Sequence, residues 1–345
     1  MAPDRSLRVL AVIPGTSTGV QMVFARRQAA SLRRLGVDVA EFYLDARSDC
    51  NRTPGLLLSL ARRIRKWRPD LVHAHYGSGT AALTVLASPV PVVVTFRGSD
   101  LHFRNLPRFK RAMVPALSRF AARRAAGVVC VSRELAAMIP RSRAKVTILA
   151  TGVDAEAFYP TERQQARQQL GWDACEKVVV FNAGLSQAVK RPDLAKAAFA
   201  QVERSIEKVR LHVLDGTTPP ERVPLVFNAA DCLLLCSDTE GSPTVVQEAL
   251  ACNLPVVSVD VGDVREILSG VTPSILVERD PASLARGIVR LLTTPARSDG
   301  SRKAQQYSTE TIAGRLLDFF RDVLAAPARG NQRAQVAEAP DARWC

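Results

Sequence analysis

The chain alternates short, continuous apolar segments with longer segments whose apolar residues recur every three to four positions. The first kind is typical of buried parallel strands, and the second is typical of amphipathic helices. Residues 7–13 (LRVLAVI) form the first such strand, and residues 20–35 form the first such helix. Because strand and helix continue to alternate, the pattern predicts an α/β fold with helices on both faces of parallel sheets.

The alternation occurs twice along the chain. In the first half we predict strands at 7–13, 37–43, 71–75, 92–96, 128–131 and 146–149. In the second half we predict strands at 177–182, 209–214, 232–236, 255–259 and 275–277. Residues 155–175 lie between the two sets and are polar and helix-prone. We therefore predict two Rossmann-like doubly wound domains, residues 1–154 and 155–324, and a disordered tail at 325–345.

The strongest motif lies at residues 231–260, DCLLLCSDTEGSPTVVQEALACNLPVVSVD. The pattern predicts a buried strand, a short acidic loop, a helix at 244–252 and a second buried strand. Ser242 is expected to cap the helix and Pro243 to occupy its first turn. Asn253 is expected to end the helix in a left-handed conformation.

The junction between this loop and its helix predicts an anion site. In the stretch Gly241, Ser242, Pro243, Thr244 and Val245, the backbone N–H groups of all residues but the proline would point out of a helix N-terminus, where negative charge is favoured. Two carboxylates flank the stretch: Glu240 precedes it, and Glu248 lies one helical turn beyond Thr244. Carboxylates repel phosphate but accept hydrogen bonds from sugar hydroxyls. A nucleotide-diphosphate-sugar, with its diphosphate between ribose and hexose, fits this arrangement.

The segment from Glu240 to Glu248 resembles the signature of the retaining glycosyltransferases of family 4, two glutamates separated by seven residues. The resemblance covers about residues 7–324. It implies a GT-B architecture, in which two domains face each other across a cleft that holds the active site, and a last long helix (309–324) that crosses back to the first domain. It also implies that Glu240 positions the hexose, that Glu248 holds the ribose, and that the reaction retains anomeric configuration without a metal or other cofactor.

The same resemblance nominates Lys190 as a second catalytic residue. Lys190 matches the family lysine that neutralises the donor diphosphate as the leaving group gains charge. Gly184 stands where the family usually has an arginine, and Arg191 is a candidate for the missing charge.

Further candidates lie in the first half. The loop from Gly15 to Gly19 follows the first strand, and the resemblance places it near the donor phosphates and the acceptor; a plain flexible turn is the alternative. Arg97 stands where many family members have a histidine, and we expect it to bind a phosphate. His75, at the end of the third strand, is the best histidine candidate for catalysis, with a cleft-wall role as the alternative.

Charge is distributed unevenly between the two halves. Residues 1–155 carry 25 Lys and Arg against 9 Asp and Glu (+16), whereas residues 156–345 carry 22 against 24 (−2). In residues 108–124 apolar side chains recur at helical spacing among basic ones. The asymmetry predicts a polyanionic partner for the first half, either a glycan or polyprenyl-diphosphate-linked acceptor or an anionic membrane surface. The alternative is a surface helix that packs its apolar side on the sheet. No nucleic-acid-binding motif is present.

Localisation follows from the apolar runs. None approaches the roughly 20 residues of a membrane span, and the first apolar segment is too short and badly flanked for a signal peptide. We expect a cytoplasmic protein of envelope polysaccharide or glycolipid biosynthesis, peripheral on the inner face of the plasma membrane if the basic surface binds lipid.

Three alternatives stay open. A nucleotide-sugar epimerase can share this two-domain fold, and a donor-binding protein with weakened catalysis would explain Gly184 and Arg97. The string GSGTAA at residues 77–82, with Asp100 about 20 residues on, weakly suggests a dinucleotide site.

Overall fold

A computed structural model describes residues 6–17, 22–44, 53–101, 108–184 and 187–326. The chain divides into two compact units. The first contains the residues before Thr151 together with those from Ile312 onwards, and the second contains Thr151–Thr311.

The first unit contains a sheet of six parallel strands in the order β2-β1-β3-β4-β5-β6. The strands are β1 (Arg8–Pro14), β2 (Asp38–Leu44), β3 (Leu71–His75), β4 (Val92–Phe96), β5 (Gly127–Cys130) and β6 (Lys145–Ile148). The intervening helices are α1 (Val23–Arg34), α2 (Thr53–Trp67), α3 (Ser78–Ala87), α4 (Arg108–Arg124) and α5 (Arg133–Ala137).

The second unit contains a sheet of five parallel strands in the order β11-β10-β9-β7-β8. Its strands are β7 (Lys177–Asn182), β8 (Val209–Leu214), β9 (Cys232–Leu235), β10 (Val256–Val259) and β11 (Ile275–Val277). Its helices are α6 (Arg163–Leu170), α7 (Gln187–Lys190), α8 (Pro192–Val202), α9 (Val223–Ala229), α10 (Thr244–Ala251), α11 (Val264–Leu268), α12 (Pro281–Thr293) and α13 (Gly300–Ala304). A last helix, α14 (Thr309–Ala325), starts at the end of this unit.

The predicted α/β class is confirmed, since both sheets are parallel and helices separate their strands. The predicted strands are present. The central strands β3, β4, β9 and β10 are buried along their whole length, as expected when helices cover both faces of a parallel sheet, whereas the outermost strands β2, β6, β8 and β11 are partly exposed. A 3-10 turn at Pro220–Arg222 leads directly into α9. Three short helices were not predicted, α7, α11 and α13, because four or five residues are too few to display a helical period.

Helix α14 belongs mainly to the first unit, although it follows the second in sequence. Its apolar side packs on the face of the first sheet that α1 also covers, with Leu316 and Phe320 fully buried. A Cβ atom on Gly127 of β5 would lie 2.8 Å from Val323, so the helix lies directly on the sheet. The helix includes Ala325, where we predicted that the tail begins, and residues 327–345 lie outside the described residues.

Each sheet has one place where the strand order reverses direction. In the first sheet this place lies between β1 and β3, and in the second it lies between β7 and β9. Loops that leave the carboxyl ends of two such strands diverge to opposite faces and leave a crevice, which is where open α/β sheets bind ligands.

Candidate functional site

The loop between β9 and α10, residues 236–243, lies at the order reversal of the second sheet. It is fastened to the segment that follows β7: the backbone N–H of Asp238 donates to the carbonyl of Val189 at 2.9 Å. The buried thiol of Cys236 lies 3.6 Å from the carbonyl of Lys190. These contacts bring two parts of the predicted site together, although about fifty residues separate them in sequence.

Lys190 and Glu240 form the centre of the site. Lys190 is the last residue of α7, and its Nζ lies 2.5 Å from Oε1 of Glu240. Their side chains are only 18% and 12% exposed, so water screens this ion pair less than a surface pair. Gly184 adopts a left-handed backbone (φ 55°), and a Cβ there would lie 3.8 Å from Cε of Lys190. The position that lacks the family arginine therefore lies beside the lysine.

Arg191 is directed at carboxylates other than Glu240. Its guanidinium donates to both carboxylate oxygens of Asp193 and, at 3.1 Å, to Oδ1 of Asp238. These two partners raise its pKa above the usual range. Arg279 also approaches Asp238, at 3.6 Å. In this arrangement Arg191 neutralises Asp238 and does not take the place of the arginine that Gly184 replaces.

No side chain caps the N-terminus of α10, which begins at Thr244 directly after Pro243. The prediction that Ser242 caps the helix is wrong, because its hydroxyl instead accepts a hydrogen bond from the buried amide of Gln247 at 2.7 Å. If the buried amide of Gln247 lost this partner, it would carry the full cost of its desolvation, whereas water can replace a side-chain cap at a helix end. The hydrogen bond to Gln247 is therefore the more stabilising use of the Ser242 hydroxyl. Asn253 does end the helix in a left-handed conformation, as predicted (φ 55°).

Only one side of α10 reaches the surface. Thr244 and Glu248 are half-buried, and the other six residues of the helix are buried. The two residues therefore share the open side of the helix, as their four-residue spacing predicts. Gly241, Ser242, Pro243 and Val245 are buried beside them, so the stretch predicted to bind an anion is largely shielded from solvent.

His75 and Arg97 are neighbours in the first unit. His75 at the end of β3 is 1% exposed, and its Nδ1 lies 3.4 Å from Nη2 of Arg97. Its ring lies 4.0 Å from that of His73. Burial, His73 and Arg97 all hold the pKa of His75 well below its usual range. His75 is therefore neutral at physiological pH and poorly suited to donate a proton.

Arg97 is packed against an aromatic ring as well. Its guanidinium carbon lies 4.1 Å from the centroid of the Phe24 ring. Burial lowers the pKa of Arg97 to about 10, and the Asp100 carboxylate opposes this shift. The side chain thus keeps its positive charge at neutral pH, as a phosphate-binding role requires.

Gly15 and Asp100 lie in loops at the carboxyl ends of β1 and β4, and both have structural roles there. Gly15 has a positive φ of 95° and its N–H donates to Leu44. Asp100 is fully buried and accepts hydrogen bonds from the backbone N–H groups of Gly77, Arg97 and Gly98. It is therefore committed to these turns and unable to hold a ribose, which removes the dinucleotide interpretation. Gly19 lies outside the described residues.

Among the described residues, no three His, Cys, Asp or Glu side chains are grouped as metal ligands. In the same part of the chain, no helix is both long and apolar enough to cross a bilayer.

Two family models match the chain: Glycosyltransferase Family 4 over residues 19–157 and Glycosyl transferases group 1 over residues 190–294. A Bacillus subtilis protein, described as the teichuronic acid biosynthesis glycosyltransferase TuaC, is 29% identical over 240 residues. The match covers 64% of this chain and 61% of that protein, so the chain spans less than two thirds of its length. A D-inositol 3-phosphate glycosyltransferase of Segniliparus rotundus is 27% identical over 329 residues, 83% of this chain and 73% of that protein.

A solved structure has the same fold. Anabaena Alr3699/HepE, determined in complex with UDP-glucose, matches with a TM-score of 0.69 at 16% identity. The match covers 92% of this chain and 100% of that one. The likeness extends over both units and concerns the fold alone.

Proposed function

The chain is a glycosyltransferase of family 4, and from that premise we propose that it transfers a hexose from a nucleotide-diphosphate-sugar to an anionic or lipid-linked glycan acceptor. The observation that carries the proposal is the Lys190–Glu240 pair beside the uncapped N-terminus of α10. A cation and a helix N-terminus favour the diphosphate, and a carboxylate next to them accepts hydrogen bonds from sugar hydroxyls.

Each residue of the second unit has a distinct role in this proposal. Lys190 and the N–H groups of Gly241 to Val245 stabilise the diphosphate as its bond to the sugar breaks and its charge grows. Glu240 orients the hexose, and Glu248, on the open side of α10, accepts hydrogen bonds from the ribose hydroxyls. The acceptor hydroxyl bonds to the anomeric carbon on the face that the diphosphate leaves, and its proton passes to a departing phosphate oxygen. Configuration is thereby retained, and no metal is required.

The acceptor is assigned to the first unit because of its charge. Arg97 keeps a half-buried positive charge in the loop after β4, which suits a phosphate of the acceptor or the donor. We give His75 no proton-transfer step, because it is buried and neutral there. The likeness to a protein described in teichuronic acid biosynthesis supports envelope polysaccharide assembly as the process.

A membrane surface is the second partner we propose for the first unit. Helices α2, α3 and α4 contain ten Lys and Arg, four in α2 and six in α4, and no Asp or Glu. Met113 of α4 is 50% exposed and Leu58 of α2 is 48% exposed. Exposed apolar side chains on helices that contain basic but no acidic residues favour attachment to anionic lipid, where a lipid-linked acceptor resides.

Epimerisation is the weaker alternative, because both matched family models describe transferases. The other alternative is a protein that binds the donor but transfers no sugar, and a transfer assay must distinguish it from a transferase.

The first experiment is thermal unfolding with UDP-, GDP- and ADP-linked sugars, each with and without EDTA. A donor at 100 times its dissociation constant stabilises a protein by about 2.7 kcal/mol, which gives an easily measured shift. The bound donor is then incubated with acceptor candidates, and the anomeric configuration of the product is read by NMR. Absence of any nucleotide effect would overturn the proposed function, and binding without transfer to any acceptor would favour the binding-protein alternative.

A further inference from the structure

The loop that follows β10 packs directly against the β9–α10 loop. Gly262 has a positive φ of 60°, and a Cβ there would lie 2.4 Å from the carbonyl oxygen of Gly241 and 3.0 Å from that of Glu240. Any other residue would displace this backbone. The β10–α11 loop, residues 260–263, therefore supports the segment that carries Glu240.

Asp263 ends this supporting loop, and its side chain is turned towards the site. It occupies the N-cap position of α11, yet its carboxylate makes no capping hydrogen bond to that helix. Instead the carboxyl group interacts with the hydroxyl of Ser242, while its Oδ1 is buried without a hydrogen-bond partner. A buried carboxyl oxygen without a partner is costly, so its presence here needs a functional explanation.

Ser242 connects Asp263 to α10. Its hydroxyl oxygen accepts a hydrogen bond from Nε2 of Gln247, a side chain with no exposed surface. The hydroxyl proton is then available to the Asp263 carboxyl group, since a hydroxyl can accept and donate at the same time. Ser242 is thus hydrogen-bonded to Gln247 of α10 and faces the Asp263 carboxyl group at the start of α11.

The charges around Asp263 are mostly negative. Glu240 faces it from the β9–α10 loop and Glu266 faces it from α11, and both raise its pKa. Burial is the largest cause, the Ser242 hydrogen bond opposes it, and the net result is a pKa of about 7. Within this group of carboxylates, Glu240 is paired with Lys190.

We propose that Asp263 tunes the donor site: its carboxyl group lies beside Ser242 in the loop that packs on Gly241, and when it is ionised it weakens donor binding by placing a second negative charge beside Glu240. The inference rests on the proposed donor site. The carboxylate repels the donor diphosphate, and by linkage a bound diphosphate makes Asp263 harder to ionise.

The probe is the nucleoside diphosphate that stabilises the wild-type protein most among UDP, GDP and ADP. Its dissociation constant is measured by calorimetry at about pH 6 and about pH 8, on either side of the Asp263 transition. The variants are Asp263→Asn, which keeps the size of the side chain, and Asp260→Asn as a matched control. Asp260 is exposed in the same loop and pairs with Arg265.

The wild-type protein and Asp260→Asn should lose about fivefold more affinity between the two pH values than Asp263→Asn, because only they gain the buried charge. Ionisation of the probe itself is common to all three proteins and cancels in the comparison. Ser242→Ala should weaken binding at both pH values and keep the pH dependence.

Two outcomes would overturn the assignment. The first is that the Asp263→Asn protein folds and keeps the wild-type pH dependence. The second is that Asp263→Asn lowers the affinity, relative to the wild-type protein, by the same factor at both pH values, as a purely structural role predicts. If none of the three nucleotides binds the wild-type protein, the proposed function fails first, and the two failures are thereby distinguished.

Discussion

Nζ of Lys190 lies 2.5 Å from Oε1 of Glu240, although the two residues are fifty positions apart in the sequence. Lys190 follows β7 and Glu240 follows β9, the two strands between which the order of the second sheet reverses. The pair therefore joins the two loops that form the crevice of this sheet. When a diphosphate binds, the lysine can interact with it while Glu240 accepts hydrogen bonds from the sugar.

Replacement of Glu240 by glutamine tests its role with the hexose. Glu240→Gln should lower the transfer rate by at least about a hundredfold, because an amide accepts sugar hydrogen bonds less strongly than a carboxylate. Binding of the nucleoside diphosphate should change by less than about tenfold, or 1.4 kcal/mol. Initial-rate assays and calorimetry measure the two quantities separately.

The matched control for Glu240 is Glu278→Gln. Glu278 is an exposed glutamate next to β11 in the same unit, and its replacement should leave both quantities unchanged. Turnover at the wild-type rate in Glu240→Gln would remove Glu240 from the mechanism.

Lys190 should act on the leaving group more than on ground-state binding. Lys190→Met keeps an unbranched chain of similar length but removes the charge, and kcat should fall by about 10²-fold or more. The KM for the donor should rise less than kcat falls, because the diphosphate gains charge in the transition state. Lys196→Met, at an exposed position of α8, is the control. An effect on KM alone would indicate that Lys190 only binds the donor.

The fold was predictable because most of its central strands are largely apolar runs. Residues 232–236 and 255–259 could be assigned as parallel strands without knowing their neighbours, since both faces of such a strand are buried. The open side of α10 was equally predictable, because Thr244 and Glu248 are four residues apart. These features depend on local spacing alone.

The errors at the site arise from tertiary contacts. Ser242 satisfies the sequence rule for a helix cap, but the rule does not include the buried amide of Gln247, which binds its hydroxyl. Asp263 was missed because it precedes a short amphipathic helix and therefore has the pattern of a surface cap. A usable signal was present: Asp263 lies in the short loop after β10, a buried strand that neighbours β9, and the carboxyl ends of parallel strands lie on the same side of a sheet.

Arg167 is the stabilising centre of the second unit away from the site. Its side chain is 1% exposed and pairs with Asp231, and it donates to the backbone carbonyls of Ala229, Asp173, Ala174 and Glu176. Arg167→Met removes one of the two arginines that form ion pairs with Asp231 among the described residues, and it removes the donors of these carbonyls. The free energy of unfolding should fall by about 3–5 kcal/mol.

Urea denaturation followed by circular dichroism measures that loss. The control is Arg204→Met, an exposed arginine whose replacement should change the free energy of unfolding by less than about 0.5 kcal/mol. Equal stability of the two variants would show that the buried Arg167 network contributes little.

Asp263 should also give the folding equilibrium a distinctive pH dependence. Its pKa is about 7 in the folded protein, against 3.8 for an ordinary aspartate. Between these values the folded state binds the extra proton, so the free energy of unfolding falls as pH rises through the window and stays low above it. Allowing for partial exposure of the side chain, the loss should be about 1–3 kcal/mol.

Asp263→Asn cannot ionise and should not show this loss. Its stability relative to the wild-type protein should therefore rise between about pH 4 and about pH 8, measured by urea denaturation at each pH. Asp260→Asn again serves as the control and should follow the wild-type curve. Parallel curves for Asp263→Asn and the wild-type protein would contradict the raised pKa.

The acid-free surface of α2, α3 and α4 should bind anionic vesicles. Arg119 and Arg123 are exposed one turn apart on α4. The double change Arg119→Glu with Arg123→Glu should weaken binding to phosphatidylglycerol vesicles by at least about tenfold. The reason is that each basic residue near such a surface contributes about 1 kcal/mol. Vesicle co-sedimentation at low and high salt measures this, and high salt should weaken wild-type binding.

The control places glutamate at Arg204 and Arg222, exposed in the second unit, and changes net charge equally. An equal loss in both double variants would attribute the binding to net charge alone, whereas a loss confined to α4, with donor binding intact, would locate the membrane surface on this helix.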